Sequence, residues 1–506
     1  MKNRKLSYIL PSLLIAVVAF STGCKKGTFD INDVNPNAPS IVSPGFSLPA
    51  AQTATASLIY SGSGDVLNVW MGYWAVSGDY TASTTLVDYQ LTTDFYTGNW
   101  ESAYLNLGNY KLIEDESSVD STLDYYAGIA KIMKAFVFQR VVDLYNNIPY
   151  SQALDKNNFV PGYDDGSAVY NSLINQVDSG IAIINAGVAN DGIQQNPGNT
   201  DVMFGGDMDL WVKFANTLKL KLIMRLTQTS SGASLAAAEL TGLTSDDFLG
   251  ADEDAVVNPG YAGTADAKEN PLYLNVAFNS SNADGTNHKY WRANSYAVDF
   301  YYNNDDSARA EKIYETKSDG LVHGRLFGAP GTPNDHNSSI SAVNGDGYAY
   351  SPTQGAIILP ASESFFLQAE AVQRGYLTGS SASELFDAGV TESFRSYNVD
   401  DYASAAADYL AQNNSVTSLD AATNKLQTII VQKWASLNGL DPLETYSDWR
   451  RTGFPSNLPV SVDVNNTATH IPYRFLYPTS ESNYNGTSVQ AQGALDVFTS
   501  KIFWMP

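Results

Sequence analysis

Between Tyr126 and Leu144 the residues Tyr126, Ile129, Ala130, Met133, Val137, Val141 and Leu144 recur at three- and four-residue spacing. One face of an α-helix collects positions at that period, so the spacing predicts a core-facing helix over 122–145. Trp211, Phe214, Leu218 and Leu222 repeat the pattern over 208–226, and Leu426, Ile430, Trp434 and Leu437 repeat it again. A further stretch from Ser362 to Arg374 runs into Gly375, a residue suited to the left-handed turn that closes a helix. Each stripe must be covered by another element, which predicts a mainly α chain of packed helix pairs. Ala382, Phe386 and Gly389 then fall at the spacing of the second helix of a tetratricopeptide unit, whose small residues let two helices approach closely.

The first residues read as an address. Lys2, Arg4 and Lys5 precede an apolar run from Leu13 to Phe20, and Ser21-Thr22-Gly23 lead to Cys24. That is the layout of a secretory signal peptide over 1–23, its apolar run well short of the roughly 20 residues a membrane helix needs. Cys24, the single cysteine of the chain, sits where a bacterial lipoprotein carries its acyl groups, although Ser21 replaces the leucine usual in such signals. The expectation is membrane attachment by a lipid anchor only, through a tether over 24–45 rich in Asn and Pro, with one large helical domain over 46–506. One cysteine makes no intramolecular disulfide, so stability must come from burial.

Charge narrows the partners. The net charge is −24, and removing Lys2, Arg4 and Lys5 with the signal takes it to −27. Such a surface repels nucleic acid and anionic phospholipid. The 44% hydrophobic and 12% aromatic content separates this acidic chain from acidic disordered ones.

Catalytic motifs are not found in the sequence. His288, His323, His336 and His470 include no i, i+4 pair for a zinc helix, and neither a Gly-x-Ser-x-Gly elbow nor a phosphate-binding Gly-rich loop occurs. Asp252-Glu253-Asp254 begins like an EF-hand loop, but Val256, Val257 and Gly263 stand where that loop needs a ligand, its glycine and its bidentate Glu. The expectation is no cofactor, with room there for a structural calcium site of another kind.

Aromatic residues beside polar ones offer a different chemistry, because a sugar presents apolar C–H faces and hydroxyl rims. Two stretches fit, giving as candidate ligand-binding residues Asn68, Trp70, Tyr73, Trp74 and Tyr80 in the first and Tyr290, Trp291, Arg292 and Asn294 in the second. Trp70, Tyr73 and Trp74 also have helical spacing, so a core role competes with a ligand role. Trp291 lies in the Gly-, Asn- and Asp-rich segment 246–360, read as long loops with minor β-hairpins such as the run Ala356–Leu359. It is therefore expected to be exposed: Trp291→Ala should weaken glycan binding by about 1–3 kcal/mol at little cost in stability. Trp211→Ala, in a core stripe, should cost roughly 3–5 kcal/mol of stability.

Several blocks together resemble the SusD/RagB-like family of outer-membrane nutrient-binding lipoproteins, in its compact helical branch. They are Asn35-Pro36-Asn37, Trp100 to Leu107, Asp143 to Leu154, Pro161-Gly162-Tyr163-Asp164, Trp211 to Arg225, Gln368-Ala369-Glu370-Ala371, Gln432-Lys433-Trp434, Tyr446 to Arg451 and Ile471 to Pro478. Their order spans nearly the whole mature chain. The resemblance implies about four tetratricopeptide-like helix pairs and no enzymatic activity. It further implies a glycan or oligosaccharide receptor, lipid-anchored in the outer membrane and facing the cell surface. That receptor would deliver its ligand to a SusC-like TonB-dependent transporter. A glycan-degrading surface enzyme and a peptide- or protein-binding surface lipoprotein are the alternatives. Arg450, Arg451 and Arg474 read better as paired scaffold charges than as ligand clamps.

Overall fold

The computed structural model describes residues 43–60, 62–332 and 334–506. The expected signal peptide, Cys24 and the tether up to residue 42 lie outside the described residues. Pro44–Pro506 form one compact unit, whose first helix starts two residues before the expected domain boundary.

The unit is mainly α. Its principal helices are α1 (Pro44–Ile59), α2 (Ser63–Trp70), α3 (Thr97–Ser117), α4 (Asp124–Tyr145), α5 (Gly166–Ala189), α6 (Met208–Arg225), α7 (Ser295–Asn303), α8 (Ser307–Ile313), α9 (Ala361–Gln373), α10 (Ala382–Ser396), α11 (Tyr402–Leu410), α12 (Lys425–Ser436) and α13 (Pro442–Thr452). All four apolar stripes seen in the sequence are helices, namely α4, α6, α9 and α12. Capping residues fix where they begin. The Asp207 carboxylate accepts the N–H groups of Asp209 and Leu210 at the start of α6, and Ser381 with Glu384 forms a reciprocal capping box on α10. Gly375, at φ 77°, follows the end of α9 as its spacing suggested.

Helix α4 lies at the centre and is buried on nearly every side, Asp124 and Lys131 excepted. It packs against α3 and α5, while α9 packs against α10 and α12. Glycines make two of these contacts close. A Cβ on Gly128 of α4 would lie 2.9 Å from the Gly180 carbonyl oxygen of α5, and a Cβ on Gly389 of α10 would lie 3.0 Å from the Phe366 ring of α9.

A helix buried all round still carries charges, and these are matched across elements. Arg140 and Asp143 of α4, Lys221 and Arg225 of α6, Glu363 and Glu370 of α9, Lys433 of α12, and Asp441, Glu444, Asp448 and Arg451 at or in α13 form one buried ionic network. Arg374 joins it at Glu370, 2.8 Å away. Arg451 holds both Glu370 oxygens at 2.6 and 2.8 Å. Arg450 donates to the carbonyls of Asp143 and Tyr473, and Arg474 to those of Tyr145 and Phe475. All three arginines are scaffold.

The short strands correct one expectation. They are not hairpins: β1 (Trp74–Val76) pairs antiparallel with β3 (Trp291–Ala293), and β2 (Ala255–Val257) with β4 (Ala356–Leu359). Each pair joins segments about a hundred or more residues apart: β1–β3 pins the loop-rich segment to the helical frame, and β2–β4 joins the two ends of that segment to each other. That segment also holds α7, α8 and a short helix, Pro271–Val276.

Candidate functional site

The β1–β3 ladder brings together the two aromatic stretches singled out in the sequence. Trp74 faces Ala293, Ala75 faces Arg292 and Val76 faces Trp291. Gly72 makes the junction. At φ 73° it turns the chain out of α2 into β1, and a Cβ there would lie 2.6 Å from the Tyr296 ring. Asn294 locks the other side, its side-chain oxygen capping α7 through the Tyr296 N–H and its amide donating to the Trp74 carbonyl at 3.2 Å.

Most of the named residues are therefore walls rather than contact surface. Asn68, Trp70, Tyr73, Trp74, Trp291, Arg292 and Asn294 are all buried. Trp291, expected on an exposed loop, is 3% exposed because the strand pairing presses its ring against Trp74, with centroids 5.9 Å apart. Tyr73 stacks on Trp434 at 5.0 Å and donates to that residue's carbonyl, a core role. The Arg292 guanidinium donates to the carbonyls of His288 and Trp291, each at 2.8 Å, and burial lowers its pKa. Tyr80, 43% exposed, and the half-buried Tyr290 remain open to solvent, their rings meeting edge to face at 5.4 Å.

Beside this pair opens a cleft of about 500 Å³ lined by Asp65, Ser83, Thr85, Leu86, Thr92, Asp94, Phe95, Tyr96, Asn287, Tyr290 and Trp291. A second hollow of about 350 Å³ is lined by Asp79, Tyr80, Thr81, Arg325 and Asp463 among others. Aromatic rings alternating with hydroxyl, amide and carboxylate groups are what a sugar requires of its site.

Sequence reasoning missed Asp65, Phe95, Tyr96 and Asn287. Asp94-Phe95-Tyr96 carried the same signal as the chosen stretches, aromatic rings in polar company. Tyr96 has φ 52°, a left-handed conformation uncommon for an aromatic residue and of the kind that gathers at functional sites. Asp65 sits in the first turn of α2. Its carboxylate accepts from Asn275 at 2.9 Å, the Trp291 indole at 3.2 Å and Asn287 at 3.4 Å, and burial pushes its pKa up to about 7. In the second hollow, the Asn337 N–H and His336 hold Asp79 below the usual carboxylate range.

The run considered for calcium is occupied by cations of the chain. Glu253 pairs with Lys213 at 2.7 Å, and Asp252 and Asp254 pair with Arg395 at 3.1 and 2.7 Å. Among the described residues no group of three or more His, Cys, Asp or Glu side chains converges as metal ligands, and no helix is long and apolar enough to cross a membrane.

Comparison with known proteins adds the following. A family model for SusD-like proteins, described as starch-binding and associating with the outer membrane, matches residues 36–478. No curated protein matches the chain. Among solved structures, a chitin-binding protein is 24% identical with a TM-score of 0.73, the match covering 90% of this chain and 99% of that one. A chitin-binding SusD homologue from Flavobacterium johnsoniae is 22% identical with a TM-score of 0.73, covering 90% and 98%. A SusD/RagB family protein from Bacteroides thetaiotaomicron is 21% identical with a TM-score of 0.72, covering 92% and 99%.

Proposed function

We propose, from the premise that this chain belongs to the SusD-like family, that it is an outer-membrane receptor that binds a glycan in the cleft beside Tyr80 and Tyr290. The observation that carries the reading is the cleft itself. It sets Phe95, Tyr96, Tyr290 and Trp291 among Ser83, Thr85, Thr92 and Asn287, rings for sugar faces beside donors and acceptors for their rims. The starch-binding description of the family and the chitin-binding relatives support the same ligand class.

In this reading Cys24 carries the lipid anchor and the helical unit stands at the cell surface. The ligand passes to a SusC-like TonB-dependent transporter, a partner that rests on the family resemblance. The protein captures and does not cleave.

Calorimetry with a panel of soluble starch- and chitin-derived oligosaccharides, run beside an assay for shortened products, tests this. We expect at least one oligosaccharide to bind without being shortened, and Tyr290→Ala to weaken it by about 1–3 kcal/mol, the loss typical of an aromatic anchor. Product formation would favour the hydrolytic alternative, and unchanged affinity in Tyr290→Ala would remove the cleft from the account.

A further inference from the structure

Asp65 differs from the buried acidic side chains of the ionic network and from Asp201. In the ionic network each carboxylate meets a cation, as Glu370 meets Arg451 and Asp441 meets Arg140. Asp201, 2% exposed and without such a cation, is met instead by five N–H donors, from Gln52, Met203, Phe204, Gly206 and the Trp211 indole. Asp65, 7% exposed, is met among the described residues by three donors, all neutral, one of them long at 3.4 Å. Among the described residues no Lys, Arg or His comes within 4.0 Å of it. The first turn of α2 adds no more than the partial positive charge of a helix start.

An undercompensated buried anion is costly unless something else neutralises it. In the free protein burial pushes its pKa up to about 7, so that near neutral pH a proton neutralises it in part of the molecules. Yet Asp65 is no sealed core residue, because it lines the cleft together with the rings of Phe95, Tyr96, Tyr290 and Trp291. A carboxylate among aromatic rings is the pairing that recognises an ammonium group, by charge from one side and by ring quadrupole from the others. Asp94 lines the same cleft, and the net charge of −24 draws cations toward the whole surface.

We propose that this cleft selects glycans carrying free amino groups, with Asp65 as the counter-ion of a protonated sugar amine. The proposal rests on the glycan-binding reading above and names the sugar class. Ser83, Thr85, Thr92 and Asn287 favour a sugar over a lysine-bearing peptide, since they give its hydroxyl groups partners in the same cavity.

The test is calorimetry at pH 7 with glucosamine oligomers and N-acetylglucosamine oligomers of equal length, which differ in the amine alone. The wild-type chain is expected to bind the amino oligomer about tenfold or more tighter, and Asp65→Asn to bring the ratio of the two affinities close to one. A wild-type ratio near one overturns the proposal without recourse to a variant, and so does a preference that persists in a folded Asp65→Asn protein. Tighter binding of an oligolysine than of the amino oligomer also overturns it. Equal binding of both sugars would leave the glycan reading standing, whereas binding of neither, nor of any neutral oligosaccharide, would bring down both.

Discussion

Glu444→Gln is expected to destabilise the chain by about 3–5 kcal/mol, the cost of removing one charge from a buried ionic cluster. Glu444 is 1% exposed and is reached by Lys221 at 3.2 Å, Arg225 at 2.5 Å and Lys433 at 2.7 Å. Burial alone would raise its pKa, but Arg225, Lys221 and Lys433 outweigh it and hold the carboxyl well below the usual range. Glutamine keeps the shape and removes the charge, leaving three cations to share the remaining carboxylates. Those cations belong to α6 and α12, and Glu444 itself to α13, so the loss should loosen the contact among three helices. Denaturant titration of the wild type and variant reads the effect. The surface pair Lys111–Asp115 provides the contrast: Lys111→Ala should change stability by less than ~1 kcal/mol, since solvent screens that pair. A Glu444→Gln effect equally small would mean that the network is not held as described.

Trp291→Ala is expected to cost about 3–5 kcal/mol of stability, as much as Trp211→Ala, because both remove a fully packed indole. Trp211 is 0% exposed, donates to Asp201 at 2.7 Å and meets Phe204 and Phe214 edge to face. Trp291 donates to Asp65 and packs on Trp74 within the ladder that ties the loop segment to the frame. Its loss opens a cavity, takes a donor from an already undercompensated carboxylate, and removes one wall of the cleft. Weakened binding in this variant would follow from the disturbed fold, so Tyr290 and Tyr80 are the positions at which binding can be read separately. Thermal melts of the two tryptophan variants test the equivalence. A Trp291→Ala protein as stable as the wild type would restore the exposed loop that its polar neighbours suggested.

That contrast marks how far the sequence was legible. The helices were, because α4, α6, α9 and α12 each run three turns or more and display their period fully. Gly375 marked a helix end for the same local reason. The strands were not. Three residues such as Trp291–Ala293 are too few to show alternation, and their partners lie far away in sequence, where no local pattern can announce them. Arg292 reads in the sequence as a ligand contact, yet carbonyls of His288 and Trp291 satisfy it inside the protein. The two aromatic stretches meet through the β1–β3 pairing, but which of their rings stay exposed depends on long-range packing that no local pattern shows. Trp74 and Trp291 are buried across the ladder, whereas Tyr80 and Tyr290, outside the paired strands, keep contact with solvent. Asp65 carried no signal at all, since one carboxylate among 53 acidic residues becomes unusual only through its surroundings.

The central claim is that the cleft beside Tyr80 and Tyr290 holds the glycan. A crystal structure of the mature chain with the tightest-binding oligosaccharide of the panel tests it most directly. The account predicts a sugar ring against Tyr290 or Tyr96, with its hydroxyl groups on Asn287, Thr92 or Asp65. An oligosaccharide seated instead in the apolar groove of Trp100, Tyr104, Leu154 and Tyr484, with this cleft holding only water, would contradict it.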